Sequence, residues 1–505
     1  MKIRIDNRVR LDLSGVPKAR ASLLVQELLQ KFTYSNPAFE KAARMGMRTT
    51  EPPDITTYKV VSMDSDAIPR SITFPRGGHR KVRKILAGLV PDFDVEFTDD
   101  RTEGDPHLAK QLAGIEHNLV MRDYQAAGLS ALIAKQNAIL RAPTGSGKTS
   151  IGIATVAALK LPTIVVVNAK VLVEQWVERA VKELGMNEED VGRIGDGQWK
   201  IRPLTIALQQ TLASRGCSEL VDLFGVVICD EVHTAAADTM FAALDDWPAK
   251  YRFGISADET RADRKEFLVY DLFGSVAYEV ERAKLIDEGH VLDVEILVLP
   301  TEFGGRSYRA SMAKGKWAAG RAQAQLIESM TTDASRNDLI LKHARIELES
   351  GQQVMLLTQR VEHARTLDQR LSGLGYRSGV MIGKKSGGGA EFERTRQGLL
   401  DGSYRASAGT IQIIGQGLDL PSLGVGFITT PLAGDNARQK FGQARGRFCR
   451  PGKERARLYY VWDRDVFGKK HLANLIKWNT SVRVYDRGQW VDAKAYLKAM
   501  PSRAA

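Results

Sequence analysis

Ala142-Pro-Thr-Gly-Ser-Gly-Lys-Thr149 decides the fold. It follows the apolar run Ala138–Leu140 and precedes a helical pattern, the strand–loop–helix setting that a phosphate-binding loop needs. Gly145 and Gly147 let backbone N–H groups approach phosphate oxygens at a helix N-terminus, with Pro143, Thr144 and Ser146 completing the loop. Lys148 is placed to reach the β- and γ-phosphates, and the Thr149 hydroxyl to ligate Mg²⁺. Alanine at 142 stands where such loops usually carry their first glycine. The competing reading is a Gly-rich structural turn, and the next motif weighs against it.

About eighty residues on, Val226-Val-Ile-Cys-Asp-Glu-Val-His233 ends a buried-strand pattern with two adjacent carboxylates. An acidic pair in that place needs a cation or a proton. Asp230 is read as the Mg²⁺ holder and Glu231 as the group that orients and deprotonates a water attacking the γ-phosphate. The alternative is that Asp-Glu only caps the next helix. His233 either links the nucleotide state to a second site or simply packs in the domain cleft.

Working outward, Thr163–Val167, Gly225–Cys229, Val354–Leu357 and Gly424–Thr429 are short β-branched runs separated by helical stretches. Strands of that kind lie in parallel sheets covered on both faces, so the fold class is α/β with doubly wound domains. Residues 1–105 differ: helical periodicity through Leu23–Phe32, short strands and turns over Thr49–Ile72, and a basic helix near His79–Leu89 read as a small α+β domain. The polar stretch Asp99–Pro106 marks its end. Residues 303–325, with five Lys/Arg and no acid, read as an insertion or inter-domain segment.

The 505 residues suit about three domains. Lys+Arg outnumber Asp+Glu 72 to 60, which favours a polyanionic partner but also fits many basic soluble proteins. Residues 438–505 hold 17 Lys/Arg against 5 Asp/Glu, so 471–505 read as a basic C-terminal tail. Cys217, Cys229 and Cys449 form no C-x-x-C pair, which argues against a disulfide framework and a thiolate zinc site and for a reducing compartment. No secretory h-region and no membrane-length apolar run is present, so a cytoplasmic location without membrane contact is expected.

Gln443-Ala-Arg-Gly-Arg-Phe-Cys-Arg450 puts Arg447 and Arg450 on one face if helical, suited to a transferring phosphoryl group. In isolation a solvated basic helix is the plainer reading. The order Arg122-Asp-Tyr-Gln125, APTGSGKT, DEVH, GISAD, QGLDLP and QARGRFCR resembles a superfamily-2 helicase of the DEAD/DEAH-box-like kind. Val166–Trp176, Gly195-Asp-Gly with Leu204–Leu212, and Asp271–Gly274 are most similar to the XPB/UvsW-like group. Phe32–Met47 also resembles phage and bacterial members with a small DNA-binding domain before the motor.

That resemblance implies two tandem RecA-like domains, about 106–290 and 291–470, with ATP and Mg²⁺ between them. It places Arg122, Tyr124 and Gln125 near the adenine, Ser256 and Ala257 in coupling the two sites, and Gly417 and Asp419 at the cleft. Gln443, Arg447 and Arg450 close onto the phosphates in that scheme. The third position of the usual Ser-Ala-Thr is Asp258, which removes a hydroxyl expected to couple hydrolysis to unwinding; Thr260 is the nearby substitute.

The implied activity is ATP-dependent unwinding or remodelling of branched DNA in repair, recombination or replication. The alternatives are an RNA helicase, or the duplex-DNA translocase of a complex whose nuclease is a separate partner. A monomer is expected. Phosphate contacts are assigned to Lys170, Gln175, Thr205, Gln209 and the stretch Thr358 to Arg360, beside expected strand ends. Trp176 reads as core; Trp478 and Trp490 are base-stacking candidates. Arg76, Arg80, Lys81, Arg83 and Lys84 form a basic run that either binds DNA or is a solvated face.

Overall fold

A computed structural model describes residues 1–233, 238–257, 263–304, 316–383, 389–415, 420, 422–432, 437–448, 456–479 and 481–500. Asp258, Thr260, Gly417, Asp419, Cys449 and Arg450 lie outside the described residues. The chain forms two compact units, Met1–Glu281 and Arg282–Ala505, a division that falls ahead of the 290/291 boundary read from sequence.

Within the first unit, eight strands run in the order 198–200, 191–195, 204–208, 163–167, 226–230, 251–256, 137–141, 276–279. All neighbours are parallel except the first pair. Thr163–Val167 and Val226–Asp230 are buried at every residue, because helices cover both faces of a parallel sheet. The second unit repeats the plan in the order 378–381, 406–410, 354–358, 425–428, 456–463, 294–301, 482–486, 489–492. Its neighbours are parallel apart from the terminal hairpin. These are the two tandem RecA-like sheets.

The terminal hairpin corrects the basic-tail reading. Val482–Asp486 pairs in parallel with Val294–Thr301, Gln489–Asp492 turns back on it, and Ala493–Ala499 is a helix. Val482 and Val484 are buried while Arg483 points outward, so the basic residues of this segment decorate a strand. Trp490 packs edge-on against His343 and lies close to Tyr459 and Tyr485, and Trp478 stands 6.2 Å from Phe441; neither is presented as an open stacking platform.

The first unit also contains a five-stranded sheet, order 59–63, 69–75, 8–12, 2–5, 96–99, with helices Lys18–Lys31 and His79–Leu89 packed on it around Leu11, Leu24, Leu28, Phe74 and Val82. A buried polar seam joins it to the parallel sheet. Arg8 pairs with Asp245 and donates to the Thr57 carbonyl at 2.6 Å. Arg76 donates to Asn137 Oδ1 at 3.1 Å and to the Ala249 carbonyl at 2.5 Å. Asp271, fully buried, accepts from Tyr34 (3.0 Å), Thr57 (2.7 Å) and Lys81 (2.9 Å). Arg76, only 1% exposed, and Lys81, exposed but held by Asp271, are thus engaged within the protein, while Arg80, Arg83 and Lys84 are exposed. No described helix is long and apolar enough to cross a membrane.

Candidate active site

The phosphate loop and the acidic pair sit at the carboxyl ends of parallel strands, where open α/β sheets place their ligands, whereas Arg122, Tyr124 and Gln125 open helix Asp123–Lys135. Pro143–Gly147 joins strand Asn137–Arg141 to helix Lys148–Leu159. Gly145 (φ 90°) and Gly147 (φ 82°) adopt the left-handed backbone that admits glycine without strain. A Cβ at 147 would come within 2.4 Å of Gln125 Nε2. The loop is tied on both sides: Ser146 N–H donates to the Pro143 carbonyl, and Ala142 N–H to the Ser256 carbonyl at 2.9 Å.

Tyr124 and Gln125, assigned to the adenine, both donate to the Ser146 carbonyl, at 2.7 and 3.1 Å. Arg122 donates to the Tyr124 hydroxyl, and its N–H to Gln125 Oε1. Tyr124 is 4% exposed. In this structure these side chains fix the conformation of the phosphate loop from behind.

Asp230 ends its strand almost fully buried. Burial and the neighbouring Glu231 push its carboxyl above the usual carboxylate range, against the pull of Lys148. Trp176 Nε1–H donates to Asp230 Oδ2 at 2.9 Å, and Glu231 N–H to Oδ1 at 2.9 Å. Glu231 has φ +51°, a left-handed backbone that costs a non-glycine residue about 1–3 kcal/mol and concentrates at functional sites. Its carboxylate lies 3.7 Å from Lys148 Nζ and 3.5 Å from His233 Nδ1, which in turn lies 3.2 Å from Ser256 Oγ. One chain of contacts, Lys148–Glu231–His233–Ser256, thus links the phosphate loop to the end of strand Tyr251–Ser256.

Two crowded carboxylates with a hydroxyl-bearing Thr149 nearby make a hard oxygen donor set that fits Mg²⁺ completed by phosphate and water. No group of three His, Cys, Asp or Glu side chains forms an all-protein metal cage among the described residues.

Trp176 is the residue whose role sequence reasoning missed. It is core, as Val173, Val177 and Ala180 at helical spacing imply, and it also orients the acid. Gly152 makes this geometry accessible, since a Cβ there would meet the Trp176 ring at 2.4 Å. Nothing local in the sequence signals that hydrogen bond, which spans 54 positions.

The phosphate-contact assignments fare unevenly. Thr205 is fully buried and its hydroxyl donates to the Arg202 carbonyl, which removes it from the surface. Thr358 is likewise buried, 2.8 Å from His363 Nδ1. Lys170 is exposed and paired with Asp196; Gln175 and Gln209 are half-buried; Arg360 is exposed. In the second unit, Gln443 and Arg447 lie half-buried on helix Ala437–Phe448.

Residues 118–260 match the family model described as Type III restriction enzyme, res subunit. The DNA 3'-5' helicase XPB of Kineococcus radiotolerans is 24% identical over 71% of this chain and 62% of its own length. The DNA 3'-5' translocase XPB2 of Sulfurisphaera tokodaii is 32% identical over 39% of this chain and 45% of its own. The chain is thus similar to XPB-like members of helicase superfamily 2. It spans little more than half the length of several XPB-like relatives. At the level of fold, S. cerevisiae Dbp5 bound to RNA and ADP BeF3 aligns over 72% of this chain and 89% of its own, with a TM-score of 0.51 at 13% identity.

Proposed function

We propose that the chain is an ATP-dependent DNA helicase or translocase that unwinds or remodels branched DNA in repair, recombination or replication. The observation that carries this is the contact chain from Lys148 through Glu231 and His233 to Ser256. Lys148 and the loop N–H groups hold the β- and γ-phosphates, and Thr149 and Asp230 hold the cation. Mg²⁺, when bound, neutralises phosphate charge. Glu231 orients the attacking water and takes its proton at a carboxylate oxygen, which loosens its hold on Lys148 and His233. His233, seated on Ser256, passes that change to the segment after the strand. Lys170, Gln175, Gln209 and Arg360 track the DNA backbone, giving salt-sensitive and sequence-neutral binding. DNA as substrate and 3'-5' movement are carried from the names of the relatives.

Steady-state ATPase without nucleic acid, then with single strands, duplex, a four-way junction or RNA, tests the reading. Stimulation greatest with branched DNA supports it; stimulation by RNA alone overturns the substrate. Arg447→Ala should bind ATP yet hydrolyse it about 10³-fold more slowly, and normal hydrolysis would return its helix to a solvated face. The match of residues 118–260 to a restriction-enzyme subunit favours one second reading, a duplex translocase with a separate nuclease partner. Strong duplex-stimulated ATPase without strand separation would select it.

A further inference from the structure

The segment between the first helix and the five-stranded sheet is built unlike the rest of its unit. Thr33–Ser35 pairs antiparallel with Asp54–Thr56, and between them stands helix Pro37–Arg44, which has no buried residue. Yet it is tightly organised. Asn36, 1% exposed, caps the helix through Ala38 N–H and donates to Glu51 and to the Pro52 carbonyl at 2.9 Å. At the far end Gly46, with φ +60°, closes the turn by donating to the Ala43 carbonyl, and Met47 N–H donates to that of Ala42.

This ordered tip presents two methionines to solvent, Met45 at 39% and Met47 at 57% exposure, among the exposed cations Lys41, Arg44 and Arg48. Lys41 and Arg48 have no ion-pair partner among the described residues; Arg44 pairs with Glu40 at 3.0 Å. The base of the projection is fixed to the motor sheet of its unit. Tyr34 stacks on Phe267 at 4.0 Å, and Tyr34 and Thr57 bind Asp271 of helix Glu266–Phe273. Glu40 reaches Arg264 at 3.6 Å.

We propose that this projection is a nucleic-acid wedge. Met45 and Met47 bear on unstacked bases of a strand whose phosphates Lys41, Arg44 and Arg48 hold. Charge complementarity selects the occupant: an apolar tip ringed by cations suits a polyanion that offers flat apolar faces. Methionine is among the side chains that wedge between base steps, and its unbranched thioether adapts to whichever base it meets. A rigid base on the motor sheet lets the tip stay put while the strand is drawn past it. The inference rests on the DNA-motor reading above.

The test uses the full chain and a forked DNA whose first paired position carries a fluorescent adenine analogue. Wild type should raise the fluorescence as that base unstacks. The double variant Met45→Ala/Met47→Ala should abolish the rise and lower strands separated per ATP by about fivefold or more, with single-strand-stimulated ATPase held within about twofold. Met45→Leu/Met47→Leu, which keeps the apolar volume, should retain both signals. Unstacking and separation by the alanine variant at wild-type level overturns the wedge, as does a flat signal from a wild type whose ATPase responds to DNA. A wild type whose ATPase ignores every nucleic acid overturns the motor reading and the wedge with it.

Discussion

Two buried acids of the first unit, Asp230 and Asp271, sit in opposite circumstances. Asp271 is fully buried and satisfied from within: Tyr34, Thr57 and Lys81 all donate to it. Asp230 is nearly as buried, but it has the Glu231 carboxylate beside it and, among the described residues, Trp176 Nε1–H and the Glu231 N–H as its donors at hydrogen-bond distance. Buried charge that the chain itself neutralises is architecture. Buried charge left crowded is a place for something that arrives from outside, which is why perturbed acids concentrate in working sites. The seam around Arg8, Arg76 and Asp271 fixes the small domain, whereas the 230–233 corner is where we propose that a cation and a phosphate bind.

Variants can break that contrast. The largest expected effect is in the corner: Glu231→Gln should lower kcat about 10²–10⁴-fold while thermal unfolding is unchanged, read by single-turnover ATPase and calorimetry. A variant that melts early but turns over normally would make Glu231 a structural residue. The seam should answer the other way. Arg8→Ala leaves Asp245 buried without its partner and should cost about 3–5 kcal/mol in denaturant unfolding, with kcat per folded molecule close to wild type. Burial already pushes the Asp245 carboxyl upward against the pull of Arg8, so losing the guanidinium should favour its protonated form. The smallest effect sharpens the contrast at its border: Trp176→Phe removes one donor to Asp230 and should raise the Mg²⁺ needed for half-maximal ATPase about tenfold. An unchanged Mg²⁺ requirement would confine Trp176 to packing.

The corner was legible in the sequence because its chemistry is local. A glycine-rich loop must follow a strand and open a helix, and two acids must end another strand, so spacing alone carries the assignment. The seam was not. Arg8 and Asp245 are 237 positions apart, and an arginine destined for burial looks in sequence like any other surface charge. By sequence Arg76 therefore belongs with the basic run, and Thr205 with the strand ends, although both are enclosed. The C-terminal hairpin carried a usable signal in the alternation Val482-Arg-Val484, outweighed there by the basic composition. The left-handed Glu231 backbone leaves no trace in composition, because the strain is imposed by what surrounds it.

The most direct test of the central claim is steady-state ATPase of wild type and Lys148→Ala, each with and without forked DNA, alongside their thermal unfolding. The account predicts DNA-stimulated hydrolysis in wild type and none in Lys148→Ala, with the two proteins melting together. Hydrolysis that survives in Lys148→Ala at the wild-type rate would contradict it.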